Sequence, residues 1–327
     1  MILAGDIGGT KTRLGIFSAE RGPDDPIVSE TYPSQEFPGL EHVVRAFIEE
    51  HHLTVSRASF GVAGPIKDNC AAITNLPWVI DGRTLSQDTG IPEVTLLNDL
   101  EAMAYAVPHL DESMIEAINP GVPKSGYPKA LIAPGTGLGE VFLTWNDGRY
   151  QSNSSEGGHT DFAPRTDLEM ELLAYLRRTY DHVSYERVCS GVGIPNLYAF
   201  LRDTGKHPEP PALGKALAEA PDQTPVIVKA GLEAPDENPI CVAVLELFTS
   251  ILGAEAGNLA LKVACHGGMY IGGGIPPRMP EYIRSSLFLR AFMDKGRLEP
   301  MVTDMPIYLI KHGNTALMGA ACHALAL

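Results

Sequence analysis

The chain has 327 residues, 44% of them hydrophobic and 20% charged, enough to bury one large core or two of roughly 100–200 residues each. Its 25 Lys and Arg face 40 Asp and Glu, a formal net charge of −15, and no basic run interrupts the deficit. That balance disfavours a protein whose work is gripping nucleic acid or an anionic membrane, but it leaves room for a small anionic ligand, which backbone N–H groups and helix N-termini hold without net positive charge.

From the N-terminus, Ile2 to Ile7 is an apolar strand that breaks at Gly8-Gly9-Thr10, and a segment follows in which Leu14 and Ile16 alternate with Arg13 and Gly15. The pattern predicts a β-hairpin with a polar tip. Leu40, Val43, Val44, Phe47 and Ile48 predict a helix over 39–52 whose His51 and His52 lie on a solvated face; Ala58 to Ala63 then reads as a buried strand. Val94 to Leu97 is another buried strand, and Asn98-Asp99 opens a capped helix. Strands alternating with helices argue for α/β layers. Residues 108–128, loose in Pro, Gly and polar residues, read as a crossing between domains. Beyond it Lys129–Ala133, Pro134–Gly139 and Glu140–Trp145 repeat the order strand, glycine turn, strand, which suggests two domains that each open with a phosphate-sized hairpin. Residues 167–180, 190–204, 213–220 and 239–264 are helix-patterned, Met269–Ile271 is a short strand ending in three glycines, and Pro306–Ile310 with Asn314–Leu325 is a strand and a helix that return to the first domain. The expected domains are 1–109 plus 306–327, and 110–305.

The five cysteines, at 70, 189, 241, 265 and 322, form no close pair, so neither a disulfide framework nor a zinc cluster is expected. Met1 leads into Ile-Leu-Ala-Gly-Asp without a basic n-region or an apolar h-region, and no apolar run reads as reaching the roughly 18 residues of a membrane span. A soluble, cytoplasmic protein is the expectation.

Gly5-Asp6-Ile7-Gly8-Gly9-Thr10-Lys11-Thr12 nearly spells a Walker A loop, but Thr10 stands where that motif needs Gly and a strand follows where it needs a helix. A Gly-Gly-Thr tip still offers N–H groups and a hydroxyl to phosphate oxygens, though it is equally an ordinary tight hairpin. Asp6, at the end of a buried strand, is placed to hold the waters of a divalent cation. Pro134-Gly135-Thr136-Gly137-Leu138-Gly139 fails as a dinucleotide fingerprint for the same reason, a strand after it instead of a helix. Gly272-Gly273-Gly274 is a third place for backbone to approach a flat ligand, or a plain strand-to-helix turn. Asn98-Asp99 is an N-cap on one reading; on the other, an amide beside a carboxylate able to take a proton from a hydroxyl. Glu156-Gly157-Gly158-His159 has metal-ligand types three apart, but two glycines make a poor helix, and a polar loop remains. Glu186 stands before a helix, where capping is the plain alternative.

The order of these pieces resembles the bacterial glucokinase family of the hexokinase, actin and heat-shock-chaperone superfamily, in the branch without the Cys-rich zinc motif. Gly5 to Leu14, Leu97-Asn98-Asp99-Leu100-Glu101-Ala102, Pro134 to Gly139, Ser155-Glu156-Gly157-Gly158-His159 and Tyr270-Ile271-Gly272-Gly273-Gly274-Ile275 carry the resemblance, which covers the full domain plan. It implies a two-domain, actin-like (ribonuclease H-like) α/β ATPase fold with a cleft between domains. It also implies ATP-dependent phosphorylation of glucose to glucose 6-phosphate, feeding glycolysis. Gly5, Asp6, Ile7, Gly8, Gly9, Thr10 and Lys11 look like the first phosphate loop, with Asp6 near the Mg²⁺ of MgATP through water. Gly135, Thr136, Gly137 and Gly139 look like the second phosphate loop, and Gly272, Gly273 and Gly274 like the adenosine motif. Asn98, Glu156, His159 and Glu186 align with the groups that bind sugar hydroxyls, and Asp99, also a sugar contact, with the catalytic base. Lys11, often Asn in relatives, and Glu140, at a commonly apolar position, depart from the pattern. Glucose and ATP are the expected partners, in a homodimer, with no nucleic acid and no membrane.

Overall fold

The computed structural model describes residues 1–52, 54–73 and 76–326; Leu53, Thr74, Asn75 and Leu327, all in the segments expected to form the first domain, lie outside the described residues. The chain forms two compact units, Met1–Met114 with Asn146–Asn153 and His312–Leu327, and Ile115–Trp145 with Ser154–Lys311.

In the first unit β1 (Ile2–Ile7) and β2 (Lys11–Phe17) make the antiparallel hairpin, with Asp6 opposite Arg13. β3 (Val28–Pro33) extends it, and α1 (Leu40–His51) buries Leu40, Val43, Val44 and Phe47. His51 is not merely solvated: it lies edge-on to Phe47 and within 2.9 Å of Glu30 Oε1. β4 (Arg57–Val62) runs parallel to β1. β5 (Ile66–Lys67), β6 (Cys70–Ala72) and β7 (Val79–Asp81) form a small antiparallel sheet. The Asp81 carboxylate then caps α2 (Gly82–Thr89) by accepting from the Arg83 and Thr84 N–H groups. β8 (Val94–Asn98) completes the sheet order β3-β2-β1-β4-β8 and runs directly into α3 (Asp99–Ala106).

The second unit repeats that order. β9 (Ile115–Asn119), β10 (Lys129–Pro134), β11 (Leu138–Asn146) and β12 (Arg149–Ser155), the last two joined by a tip, Asn146–Asn153, that counts with the first unit, precede helices α4 (Asp167–Leu176), α5 (Gly193–Asp203), α6 (Pro211–Glu219), α7 (Gln223–Glu233) and α8 (Pro239–Val263). Then come β13 (Gly268–Ile271), α9 (Pro280–Arg284), α10 (Ser286–Met293), α11 (Glu299–Thr303) and β14 (Ile307–Ile310). The sheet order is β12-β11-β10-β13-β14-β9: an antiparallel hairpin with two parallel strands beyond its first strand, as in the first unit, and β9 added antiparallel at the edge.

Several expectations are corrected here. The loose segment 108–128 contains β9, a half-buried edge strand whose pairing with β14 shifts register and whose alternation is accordingly weak. Helix α7 escapes the sequence reading because Pro225 looks like a break, yet it falls in the first turn, where a proline costs no intrahelical hydrogen bond. The strand at Ile307–Ile310 pairs with β13 and β9 in the second sheet, so the chain rejoins the first unit at His312 and not at 306. There α12 (Thr315–Ala326) packs on β1, β4 and α3. Helix α8 does reach the length and apolarity of a membrane span, but 78% of that window is buried within the protein, as the central helix of a core shared with α5, α7 and α10. All five cysteines are free thiols.

Candidate active site

In the first unit the hairpin turn Gly8-Gly9-Thr10 lies between the strand ladders and is fastened from β3's end. Gly8 N–H donates to Lys11 O at 3.0 Å, Ser34 Oγ donates to Gly8 O at 2.8 Å, and Ser34 N–H to Thr10 O at 3.0 Å. Buried Thr12 joins its hydroxyl to that of Ser34 at 3.0 Å. Lys11 and Thr10 remain exposed at the tip. Ser34 is the part sequence reasoning missed: it sits 26 positions from Gly8, in no motif.

Asn98 and Asp99 stand where β8 becomes α3. Leu100 N–H is shared between Asn98 Oδ1 at 3.0 Å and Asp99 Oδ1 at 2.9 Å, while Asn98 Nδ2 donates to Gly64 O at 3.0 Å. Asn98 is therefore an N-cap in fact, with both amide ends engaged by backbone. Asp99 Cα packs against Gly61, the β4 residue opposite Asp6. Burial raises the Asp99 carboxyl, against the Leu100 N–H and the Asn98 amide, which favour its charged form. Asp6 is pushed up to about 6, first by burial and then by the charge of Asp99, with Arg13 opposing. Two carboxyls raised by burial, one of them also by the charge of the other, beside a phosphate-sized turn suit a hard cation, which takes oxygen ligands and offsets their charge. Elsewhere in this unit Glu30, Glu50 and His51 bring ligand atoms within 4.8 Å, but Glu30 is already held by His51 and by the Tyr32 hydroxyl at 2.8 Å.

In the second unit the turn Gly135-Thr136-Gly137 closes on itself, Gly135 N–H donating to Gly137 O at 2.9 Å. The loop before α5 grips it: Gly191 N–H donates to Gly135 O at 2.7 Å and Val192 N–H to Thr136 O at 3.2 Å. Gly273 adopts a φ of +82° and its α-carbon faces the Pro134 carbonyl, so the left-handed conformation and the close approach both require glycine. Gly272 N–H donates to Ile132 O, which ties the triple glycine to the same strand as the turn; Gly274 has open space around it. Gly139 lies opposite Ala133, where the first hairpin has Arg13 opposite Asp6.

Glu186, in the 3₁₀ turn Tyr185–Arg187, does not cap α5. Its Oε2 accepts from Leu138 N–H at 3.1 Å and lies against Gly137, which joins the acid to the second hairpin. Glu156-Gly157-Gly158-His159 forms a 3₁₀ turn with the glycines buried and the Glu and His exposed. A side chain at Gly158 would strike the Leu138 carbonyl, and one at Gly157 the Glu140 carboxyl, so the two glycines let the turn lie flat on β11. Each unit thus gathers its own set: the first hairpin with Asn98 and Asp99, and the second hairpin with Gly272–Gly274, Glu156, His159 and Glu186. Glu140, noted in the sequence only as a departure, is the acid that lies beneath this second set.

Comparison with known proteins agrees along the whole chain. The Glucokinase family profile matches residues 3–327. A glucokinase of Nostoc punctiforme is 39% identical over 98% of both chains. Among solved structures, a glucokinase from an Antarctic psychrotroph is 33% identical and superposes with a TM-score of 0.85 over 100% of this chain and 99% of its own. A ROK family glucokinase from Streptomyces griseus, solved with glucose and AMPPNP, shares 19% identity with a TM-score of 0.65 over 100% of this chain and 99% of its own, a likeness of fold. Matched end to end by the family profile and by these relatives, the chain belongs to the glucokinase family and is an ATP-dependent hexose kinase of the actin-like fold.

Proposed function

We propose that the chain transfers the γ-phosphoryl group of MgATP to the 6-hydroxyl of glucose, giving glucose 6-phosphate and ADP for glycolysis, with Asp99 as general base. The observation that carries this reading is the setting of Asp99: a part-buried carboxylate at a helix N-terminus, with one oxygen held by the Leu100 N–H. Phosphoryl transfer asks a protein chiefly to align the acceptor hydroxyl, offset developing charge and remove one proton. Asp99 takes the proton; its raised carboxyl brings it nearer the pH at which a base both stays ionised and binds a proton usefully. Asn98, Asp99, Glu156, His159 and Glu186 hold sugar hydroxyls. Gly5 to Lys11 and Gly135, Thr136, Gly137 and Gly139 receive phosphate oxygens, and Gly272 to Gly274 the adenosine. Asp6 would hold Mg²⁺ through water, and the cation would supply charge that offsets the phosphates. The protein works in a reducing cytoplasm as a homodimer, which sedimentation of the purified chain tests.

A coupled phosphorylation assay across hexoses and phosphoryl donors tests the assignment, with glucose and ATP expected to give the highest kcat/KM. Asp99→Asn keeps its size and fold and loses about 10²–10⁴-fold in kcat, with the KM for glucose little changed. Turnover like the wild type in that variant would place the base elsewhere.

A further inference from the structure

Within the second unit, β11 and α8 face each other with an acid apiece. Glu140 is 1% exposed and Glu255 is 0% exposed, at the middle of the apolar helix. The Glu255 carboxylate is well served: Asn258 Nδ2 donates to Oε2 at 2.8 Å, Lys262 Nζ reaches Oε1 at 3.3 Å, and the buried Tyr185 phenol lies beside it. Asn258 Nδ2 also donates to the Tyr185 hydroxyl at 3.1 Å, which ties this cluster to the turn that carries Glu186. Glu140 has no such provision. Its Oε1 is buried without a hydrogen-bond partner, and its other oxygen lies against Gly157, between Glu156 and His159.

An ionised carboxylate left like this would be costly, and two facing each other costlier still. The groups around them make the count explicit. From α8 come Glu255 and Lys262, from the 3₁₀ turn Tyr185, from the segment after it the buried thiol of Cys189, and from beyond α10 Lys295, which donates to Ala254 O at 3.1 Å and has Arg165, Glu255 and Asp294 as its charged neighbours. Lys262 is the one cation among the described residues in contact with the pair, and it is committed to Glu255. One carboxyl has to be neutral. A proton on Glu140 Oε1 turns the orphaned oxygen into a donor toward Glu255.

We propose that Glu140 and Glu255 share one proton, and that the resulting acid–carboxylate pair positions the Glu156–His159 turn and, through Tyr185, Glu186, so that sugar binding depends on the protonation of a buried group the sugar never touches. Glu140 is a positioning residue on this account. The proposal rests on the reading of Glu156, His159 and Glu186 as sugar contacts. Burial and the charge of Glu255 hold the Glu140 carboxyl up to about 8. Above that the proton is lost to solvent, two anions face each other beneath Gly157, and the turn is pushed from β11.

The test follows kcat and KM for glucose and for MgATP against pH in the wild type, Glu140→Gln and Glu255→Gln, beside infrared difference spectra of the protonated carboxyl stretch. In the wild type the KM for glucose is expected to climb above about pH 8, approaching tenfold for each further pH unit, with KM for MgATP nearly flat. Glu140→Gln, whose amide donates at every pH, is expected to remove that climb while keeping kcat near neutrality. Glu255→Gln, which removes the charge that holds the Glu140 carboxyl up, is expected to abolish the climb, since no two anions then face each other beneath Gly157, and to move the loss of the infrared band to lower pH. The infrared band is expected to vanish with the same midpoint as the climb and to be missing in Glu140→Gln; should that variant fail to fold, the wild-type band alone decides. A wild type whose glucose KM is flat to high pH, or a climb unchanged in Glu140→Gln, or no protonated carboxyl near neutrality, overturns the proposal. If the band titrates as expected but glucose is not bound at any pH, the acid pair stands and the sugar-contact reading falls.

Discussion

The two glycine hairpins share one plan and differ in charge. β1 and β10 each pair antiparallel with the next strand on one side and parallel with a later strand on the other, and each ends in a short turn of Gly and Thr. At the next-to-last strand position the first has Asp6 opposite Arg13, and the second has Ala133 opposite Gly139. The first turn is fastened by the hydroxyl and N–H of Ser34, the second by backbone N–H groups from Gly191 and Val192. Duplicated backbone therefore does not mean duplicated chemistry: one copy manages charge, and the other is shaped by close backbone contact around Gly273 and Pro134.

If that contrast holds, removing the acid hurts more than disturbing the neutral turn. Asp6→Asn is expected to lower kcat/KM for MgATP on the order of 10²-fold, as loss of a preorganised electrostatic group does, whereas Thr136→Ala loses about tenfold at most, the worth of one hydrogen bond. Steady-state kinetics with varied MgATP compares them, and equal losses would break the contrast. Gly273→Ala is expected to destabilise by about 1–3 kcal/mol, through strain at φ +82° and crowding of the Pro134 carbonyl. Denaturant titration measures it, and a neutral result would release the second hairpin from its shape constraint. Ser34→Ala frees the first turn at a cost of about 1 kcal/mol, read in the same way.

Acid sharpens the comparison further. Asp6 is held near 6 in place of an ordinary 3.8, so it is charged above that range and neutral below it. The KM for MgATP should rise about tenfold one pH unit below the midpoint, and Asp6→Asn should remove that dependence. The stability contribution runs oppositely: a carboxyl with a raised folded-state value stabilises when protonated, fully below about 3.8, and loses that contribution as pH rises through about 6. The Tm difference between Asp6→Asn and the wild type should therefore grow in the variant's favour from acid toward neutrality.

The hairpins, the strand into Asn98-Asp99 and the long helix α8 were legible because their signals are local: glycine turns between apolar runs, a cap after a strand, a sustained apolar stretch. The pieces that escaped depend on distant partners. β9 is a weakly alternating edge strand that makes sense only beside β14. α7 was hidden by a proline that is harmless at its place in the first turn. Glu186 reads as a cap until the Leu138 N–H, 48 positions away, claims it. Nothing near Glu140 in the sequence announces Glu255, because sheet and helix bring them together across a separation of 115 positions.

The closing helix α12 also bears on how the protein is made. Leu317, Ala320, Ala321 and Ala324 complete a small core with Ile2, Ala4 and Phe17, and Arg57 Nη1 donates to the Ala324 carbonyl. Strand β1 thus waits for α12, about 300 positions later, before its apolar face is covered, while the second unit is translated in between. Contacts of such long sequence separation form late and leave hydrophobic surface open meanwhile. Chains lacking the second half of α12 would leave the apolar face of β1 exposed, a ready substrate for chaperones and proteases.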